Sequence, residues 1–286
     1  MQLKATLTEA IARLAAKNVP SPRLNAELLL MFVLNCDRAY LFAHPERELT
    51  ADEISRYDAA LAERIRGVPA QYITGHQEFW GMDFIVTPAV LIPRPETEHL
   101  IETVLECMER ALLPASERRK NLRIADVGTG SGCIALALAK ELRNAEVHAT
   151  DNSAAALEVA KVNAARHQLD HRTRFHQTNL LEGLQPPFDF VVSNPPYVGE
   201  SEEDQVQLEV RKFEPRSAVF SGPNGTEVIE RLIPQAHTTL RSGGWLALEI
   251  SGTIAKEVEG LLQGWDHVQI RPDLQSIPRV ALAQKK

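Results

Sequence analysis

Apolar residues in the first quarter of the chain recur at helical spacing. Ile11, Leu14 and Ala15 share one face, and Leu24, Leu28 and Met31 share another, with Ala26, Leu29, Leu30 and Val33 between them. Recurrence at i, i+3 and i+4 predicts amphipathic and buried helices over residues 1 to about 75. Pro20-Ser21-Pro22 and His44-Pro45 break the pattern, and Thr50 with Glu53 reads as a capping box that starts the next helix. Residues 78–87 switch to short apolar runs about Gly81, the pattern of a β-hairpin. Leu91-Ile92-Pro93-Arg94-Pro95-Glu96-Thr97-Glu98 then forms a proline-stiffened turn leading into a helix near His99–Ala111.

From residue 122 onward strands alternate with helices. Ile124–Val127, Val147–Thr150, Arg174–Gln177, Phe188–Ser193 and Trp245–Ile250 read as strands, interleaved with helices over 133–142, 153–166, 225–241 and 253–263. Val268–Arg271 and Val280–Ala283 close the chain as expected edge strands. Such alternation predicts an α/β fold with a mostly parallel sheet covered by helices on both faces. The expected organisation is a small helical domain over 1–75, a hairpin linker over 76–93 and a second domain over 94–286.

Composition narrows the function classes. The 286 residues carry 31 basic and 38 acidic side chains, a net charge of −7, which disfavours a protein that wraps nucleic acid by phosphate contacts. The densest basic run, Arg118-Arg119-Lys120, falls in an expected linker loop. Cys36, Cys107 and Cys133 form no C-x-x-C pair, arguing for a reducing compartment and against a disulfide framework or thiolate metal site. The start lacks the apolar stretch of a signal peptide, and no segment is long and apolar enough to span a bilayer, so a cytoplasmic location is expected. The nine histidines lack metal-ligand spacing, and no metal is expected.

Between the first strand and helix of this region lies Asp126-Val127-Gly128-Thr129-Gly130-Ser131-Gly132. Glycines there let the backbone approach a ligand and expose amide donors near a helix start. Asp151 ends the second strand 19 residues after Gly132, close to the ~20-residue offset of an acid that binds ribose hydroxyls. The spacing is G-x-G-x-G, lacking the third-glycine position of a dinucleotide fingerprint, and suits an adenosine ligand without pyrophosphate. Asp126 is expected to order the loop. After the third strand, Asn179 can accept from an adenine amino group and Leu180 can pack on the ring.

Asn194-Pro195-Pro196-Tyr197 follows the buried strand Phe188–Ser193, where ligand crevices of open α/β sheets lie. An amide or exocyclic amine nitrogen is a poor nucleophile because its lone pair is delocalised. Two acceptors on its N–H groups can draw that lone pair into line for attack. The Asn194 side-chain carbonyl and the Pro195 carbonyl are the two candidates, held by prolines with fixed φ and no backbone N–H. Tyr197 is expected to form an aromatic wall for a planar group. The combination resembles the hallmark of methyltransferases that act on planar N–H2 groups, glutamine amides or adenine and cytosine amines, and catalysis would then rest on orientation and electrostatics.

The D-V-G-T-G-S-G-C string resembles motif I of class I S-adenosylmethionine methyltransferases, a Rossmann-like fold. Across nearly the whole chain, Ser21-Pro22-Arg23-Leu24-Asn25-Ala26-Glu27, Arg66-Gly67-Val68-Pro69, Tyr72-Ile73-Thr74-Gly75, Leu91–Glu98, the glycine turn, N-P-P-Y, Phe213-Glu214-Pro215-Arg216 and Gly222-Pro223-Asn224-Gly225 occur in an order that resembles the HemK/PrmC family, the release factor glutamine N5-methyltransferases. The resemblance implies S-adenosylmethionine as cofactor, held by Gly128, Thr129, Gly130, Ser131, Gly132, Asp151, Asn179, Leu180 and Asn194. It implies as substrate the glutamine of a release factor's Gly-Gly-Gln loop, held by Asn194, Pro195, Pro196 and Tyr197, with Asn194, Pro195 and Tyr197 in the catalytic turn. It implies docking by the helical domain, with no nucleic acid, membrane or metal partner. The family more often has Asp at Asn179 and glycine near Ser251 and Ser276. Rival readings are a nucleic-acid adenine N6-methyltransferase, a methyltransferase of a ribosomal-protein glutamine, and a binding module that keeps only the fold.

Overall fold

The computed structural model describes residues 1–109 and 121–286. The Arg118-Arg119-Lys120 run and the end of the helix expected near His99–Ala111 lie outside the described residues. The chain forms two compact units, Met1–His76 with Gln207–Phe213, and Gln77–Val206 with Glu214–Lys286.

The first unit is helical, built from Leu3–Ala16, Pro22–Leu34, Arg38–Ala43, Ala51–Ile65 and Ala70–Thr74, joined by Leu208–Phe213. The capping box forms as its residues dictate: Glu53 N–H donates to Thr50 Oγ1 at 3.2 Å and Thr50 N–H to the Glu53 carboxylate at 2.8 Å. Ala26, Leu29, Leu30 and Val33 make the inward stripe of the second helix, whereas Leu24 is 53% exposed. The Tyr57 hydroxyl, inside this core, donates to Ala26 O at 2.9 Å. The buried Arg64 guanidinium donates to Asn25 Oδ1 at 2.7 Å and Val68 O at 3.2 Å and pairs with Glu209 at 2.8 Å. That anchor explains why Leu208–Phe213, which the sequence pattern placed within the continuous segment 94–286, packs with the helices instead.

The hairpin of β1 (His76–Phe79) and β2 (Met82–Ile85) turns at Trp80 and Gly81, both with positive φ. Its Phe79, Met82 and Phe84 are buried with Leu100, Ile101 and Val104 of the helix Glu98–Glu109, inside the second unit's core. The Asn163 side chain clamps it, accepting from Ile85 N–H at 2.8 Å and donating to Ile85 O and Ser131 O at 2.9 Å each.

Seven strands form the main sheet: β3 (Leu122–Val127), β4 (Ala145–Asp151), β5 (Thr173–Gln177), β6 (Phe188–Ser193), β7 (Leu240–Glu249), β8 (Asp266–Pro272) and β9 (Pro278–Gln284). Their order is β5-β4-β3-β6-β7-β9-β8, parallel from β5 to β7, with β9 antiparallel to both its neighbours. Of the two expected edge strands only β8 is one. β9 lies inside the sheet because it is apolar on both faces, with Val280 and Leu282 in one core and Ala281 and Ala283 in the other. The same alternation runs through the centre: Ile124, Phe190, Val192 and Trp245 enter the core under helices Glu98–Glu109 and Cys133–Glu141, while Ala125, Val127, Val191 and Leu246 enter that under Glu227–Thr239. Among the described residues no helix is long and apolar enough to cross a membrane.

The connections run from β3 outward through β4 to β5, then return to place β6 on the other side of β3. Loops leaving the carboxyl ends of β3 and β6 therefore diverge, and a crevice opens at this switch point.

Candidate active site

At the end of β3, Gly128, Gly130 and Gly132 take φ of 72°, 55° and 84°, left-handed values that favour glycine. A Cβ on Gly128 or Gly130 would meet nothing within 4 Å, so their backbone faces the open cleft. On Gly132 it would lie 3.3 Å from the Ala160 Cβ, so that glycine lets two helices approach. Gly128 and Thr129 N–H donate to Thr150 O at 2.9 Å, Gly130 N–H donates to Asp151 Oδ2 at 3.0 Å and Ser153 N–H to Asp151 Oδ1 at 2.9 Å. Asp126 lies beneath the turn and accepts from Thr129 Oγ1 at 2.6 Å and Ala135 N–H at 3.2 Å, the loop-ordering role expected of it. Complete burial pushes its carboxyl up to about 7.

After β5, Asn179 Nδ2 donates to Glu182 Oε1 at 2.7 Å, which leaves its carbonyl oxygen to accept from a ligand. Leu180 beside it takes φ 54° and packs on the second core.

The turn after β6 is braced from several sides. Ser193 Oγ donates to Val127 O at 2.7 Å, tying the two strand ends together. Asn194 Nδ2 donates to Thr97 Oγ1 at 3.1 Å. Behind the turn, a Cβ on Gly225 would come within 2.6 Å of Tyr197 O, and one on Gly199 within 2.8 Å of Pro223 O, so the Gly-Pro-Asn-Gly segment presses on N-P-P-Y. The Glu214 carboxylate accepts from Ile92 N–H at 3.1 Å and pairs with Arg94, joining Phe-Glu-Pro-Arg to the stretch that carries Thr97.

One cleft brings together Gly128–Ser131, Asp151, Asn179, Leu180 and Asn194–Pro196. Gly132 and Tyr197 do not line it. Tyr197, half-buried behind the turn, packs its ring on the second core, and its hydroxyl donates to Glu249 Oε1 at 3.2 Å. Burial and the adjacent carboxylate push that phenol well above its ordinary range. Thr97, Ser193, Ser217 and Arg231 also line the cleft and escaped the sequence reading. Thr97 carried a signal, a hydroxyl inside a proline-stiffened motif, but nothing in the sequence placed it beside Asn194. Residues from five loops thus converge on one crevice whose glycine faces are open and whose rim holds an acid after β4 and a free carbonyl after β5. The donor set fits S-adenosylmethionine: a carboxylate for ribose hydroxyls, an acceptor for the adenine amine and amide-rich backbone beside them.

The family described as the PrmC N-terminal domain matches residues 5–75, and the methyltransferase small domain matches 104–212. The release factor glutamine methyltransferase of Koribacter versatilis is 54% identical over all of this chain and 99% of its own length. That of Chlorobaculum tepidum is 42% identical over 96% of this chain and 94% of its own. Among solved structures, the hMettl16 catalytic domain with a MAT2A 3'UTR hairpin superposes with TM-score 0.55 at 20% identity, covering 82% of this chain and 81% of that one. The T. thermophilus 16S rRNA N2 G1207 methyltransferase with AdoMet and guanosine gives 0.52 at 19%, covering 74% and 50%. These two likenesses establish the class I methyltransferase fold. With the glycine turn, the acid after β4 and the N-P-P-Y turn meeting in one cleft, and with kinship that runs the full length of the chain, this protein belongs to the family of release factor glutamine methyltransferases, whose methyl donor is S-adenosylmethionine.

Proposed function

We propose that this protein methylates the side-chain amide nitrogen, N5, of the glutamine in the Gly-Gly-Gln loop of peptide chain release factors, in the cytoplasm. The observation that carries this reading is the position of Asn194, Pro195 and Pro196 at the carboxyl end of β6, in the same cleft as the glycine turn of β3. S-adenosylmethionine supplies an electrophilic methyl on its sulfonium. Gly128–Ser131, Asp151, Asn179 and Leu180 would hold it. The Asn194 carbonyl and the Pro195 carbonyl accept from the two glutamine N–H groups, turning the nitrogen lone pair toward the methyl. Tyr197 supports this turn from behind. The nitrogen carries a positive charge as soon as its lone pair has taken the methyl and is then strongly acidic, so one N–H proton passes to water and no strong base is required of the protein. Docking of the release factor is assigned to the helical unit.

Purified release factor, its Gln→Ala loop variant, and unmethylated DNA and RNA should be offered with labelled S-adenosylmethionine. Label on the wild-type factor alone is expected. Label on nucleic acid with none on the factor would replace this reading with an adenine methyltransferase.

A further inference from the structure

Leu274 is 97% exposed, more than any other large apolar side chain among the described residues, the next being Leu208 at 68%. It sits at the tip of the loop over 273–277, between β8 and β9. A slack loop could fold such a side chain back onto the protein, but this loop is tied. Asp273 N–H donates to Ile277 O at 2.8 Å, and Ser276 N–H donates to Asp273 O at 2.9 Å. The Asp273 carboxylate accepts from Gln275 N–H at 2.8 Å and from Ile277 N–H and Arg279 Nε at 2.9 Å each. The base of the loop packs on the connection after β7, where a Cβ on Gly252 would lie 3.4 Å from Ile277 Cγ2. Leu274 is therefore held in water by its own loop, a preorganised apolar contact that lacks a partner within the chain.

The sheet places that tip on the reacting edge. β8 and β7 both run antiparallel to β9, so β8 ends at the same edge as β7 and β6. Val280 pairs with Glu249, the last residue of β7, and Ile250 N–H donates to Arg279 O at 2.8 Å. The loop thus stands just past the carboxyl end of β7. With strands about 4.8 Å apart, it lies about 10–15 Å from the N-P-P-Y turn. A glutamine carried on a loop of a folded protein reaches Asn194 only when the surface around that loop covers the rim of the cleft. The tip suits a protein surface: Leu274-Gln275-Ser276-Ile277 carries no charge, and Arg279 beneath it is paired with Asp273, so no free cation is offered to a phosphate.

We propose that Leu274 is a docking contact for the protein substrate, entering an apolar depression on the release factor beside its Gly-Gly-Gln loop. This rests on the glutamine-methylating reading of the cleft. The contact adds to the docking assigned to the helical unit and acts on capture of the folded factor, leaving the methyl transfer step to Asn194 and Pro195.

The test uses the full-length enzyme with two acceptors. One is folded release factor; the other is a peptide of about five residues centred on the glutamine, which reaches only about 7 Å to either side and cannot touch Leu274. Leu274→Ser should lower kcat/KM for the folded factor about tenfold or more, through KM, with kcat within about threefold of wild type. Leu274→Met, which keeps the apolar area, should stay within about threefold throughout. On the peptide Leu274→Ser should match wild type, and its urea midpoint and Kd for S-adenosylmethionine should not move. An unchanged kcat/KM for the folded factor would overturn the proposal. So would an equal loss on the peptide, which would make Leu274 a support of the site's fold. A photo-crosslinking amino acid at position 274 gives a readout that needs no methyl transfer. Crosslinks to purified release factor should fall in the segments flanking its Gly-Gly-Gln loop; crosslinks elsewhere, or none, would overturn the contact. If wild-type enzyme leaves both acceptors unlabelled, the substrate reading fails, and the crosslinking still decides whether Leu274 docks.

Discussion

At the scale of single residues, two asparagines of the second unit differ in kind, Asn194 in the proposed chemistry and Asn163 in the architecture. Asn194 lines the cleft and its amide donates to Thr97, so in the proposed reaction its carbonyl is the acceptor for the substrate. Removing it deletes an oriented dipole without emptying the cofactor turn, so Asn194→Ala should cut methyl transfer by about 10²–10³. Binding of S-adenosylmethionine, measured by calorimetry, should remain; turnover near the wild-type rate would sink the orientation mechanism. Asn163, fully buried, satisfies three backbone groups at once: both polar groups of Ile85 and the carbonyl of Ser131. It therefore fastens the hairpin to the cofactor turn. Asn163→Ala strands those groups away from water, and the expected loss is about 2–4 kcal/mol of stability. A urea midpoint unchanged from wild type would show that water replaces the amide at no cost.

At the scale of elements, the N-P-P-Y turn is held by its neighbours more than by its own sequence. Gly225 lies against the Tyr197 carbonyl with φ 88°, so Gly225→Ala meets both a collision and an unfavourable backbone conformation. The variant should lose most methyl transfer while a change limited to the far side of the sheet would not; full activity would show that the turn yields without harm. Such packing marks the boundary of what was legible beforehand. Strands β3 to β7, the glycine turn and N-P-P-Y were readable because buried parallel strands write continuous apolar runs and ligand-binding turns need particular residue types. Glu214 was visible as part of a motif, but its bonds to Ile92 and Arg94, 120 or so positions away in sequence, depend on tertiary structure alone. The bond from Tyr197 to Glu249 was hidden for the same reason, since Glu249 comes from another strand. The placement of β9 could have been inferred from its two apolar faces. Ser276, where the family favours glycine, takes φ 63°, a conformation the sequence shows only by comparison with relatives.

For the molecule as a whole, three buried titratable groups of the second unit make stability depend on pH in opposing directions. Asp126 and Glu249 are pushed up to about 7 by burial. In the unfolded chain both would titrate near 4. Between those values the folded protein binds more protons than the unfolded one, so their contribution is complete below about 4 and is lost as pH rises through about 7. His148 is pushed down to about 4 by burial and by Arg123. It stays neutral in the fold while the unfolded chain takes up a proton, so it removes stability as pH falls from about 6.5 toward 4. The slopes oppose, but above pH 7 the histidine has no further effect and both carboxyls must ionise inside the protein. Replacing Glu249 by Gln, which can still accept from Tyr197, abolishes one of those ionisations. Glu249→Gln should therefore be more stable than wild type at pH 8 by about 1–3 kcal/mol, with the difference falling to about a third of that at pH 5, as read from urea midpoints at the two pH values. An equal difference at both would mean that packing, and not charge, separates the two proteins. The carboxylate is the costlier species to bury, and its one hydrogen bond, accepted from the Tyr197 hydroxyl at 3.2 Å, ties the end of β7 to the turn after β6.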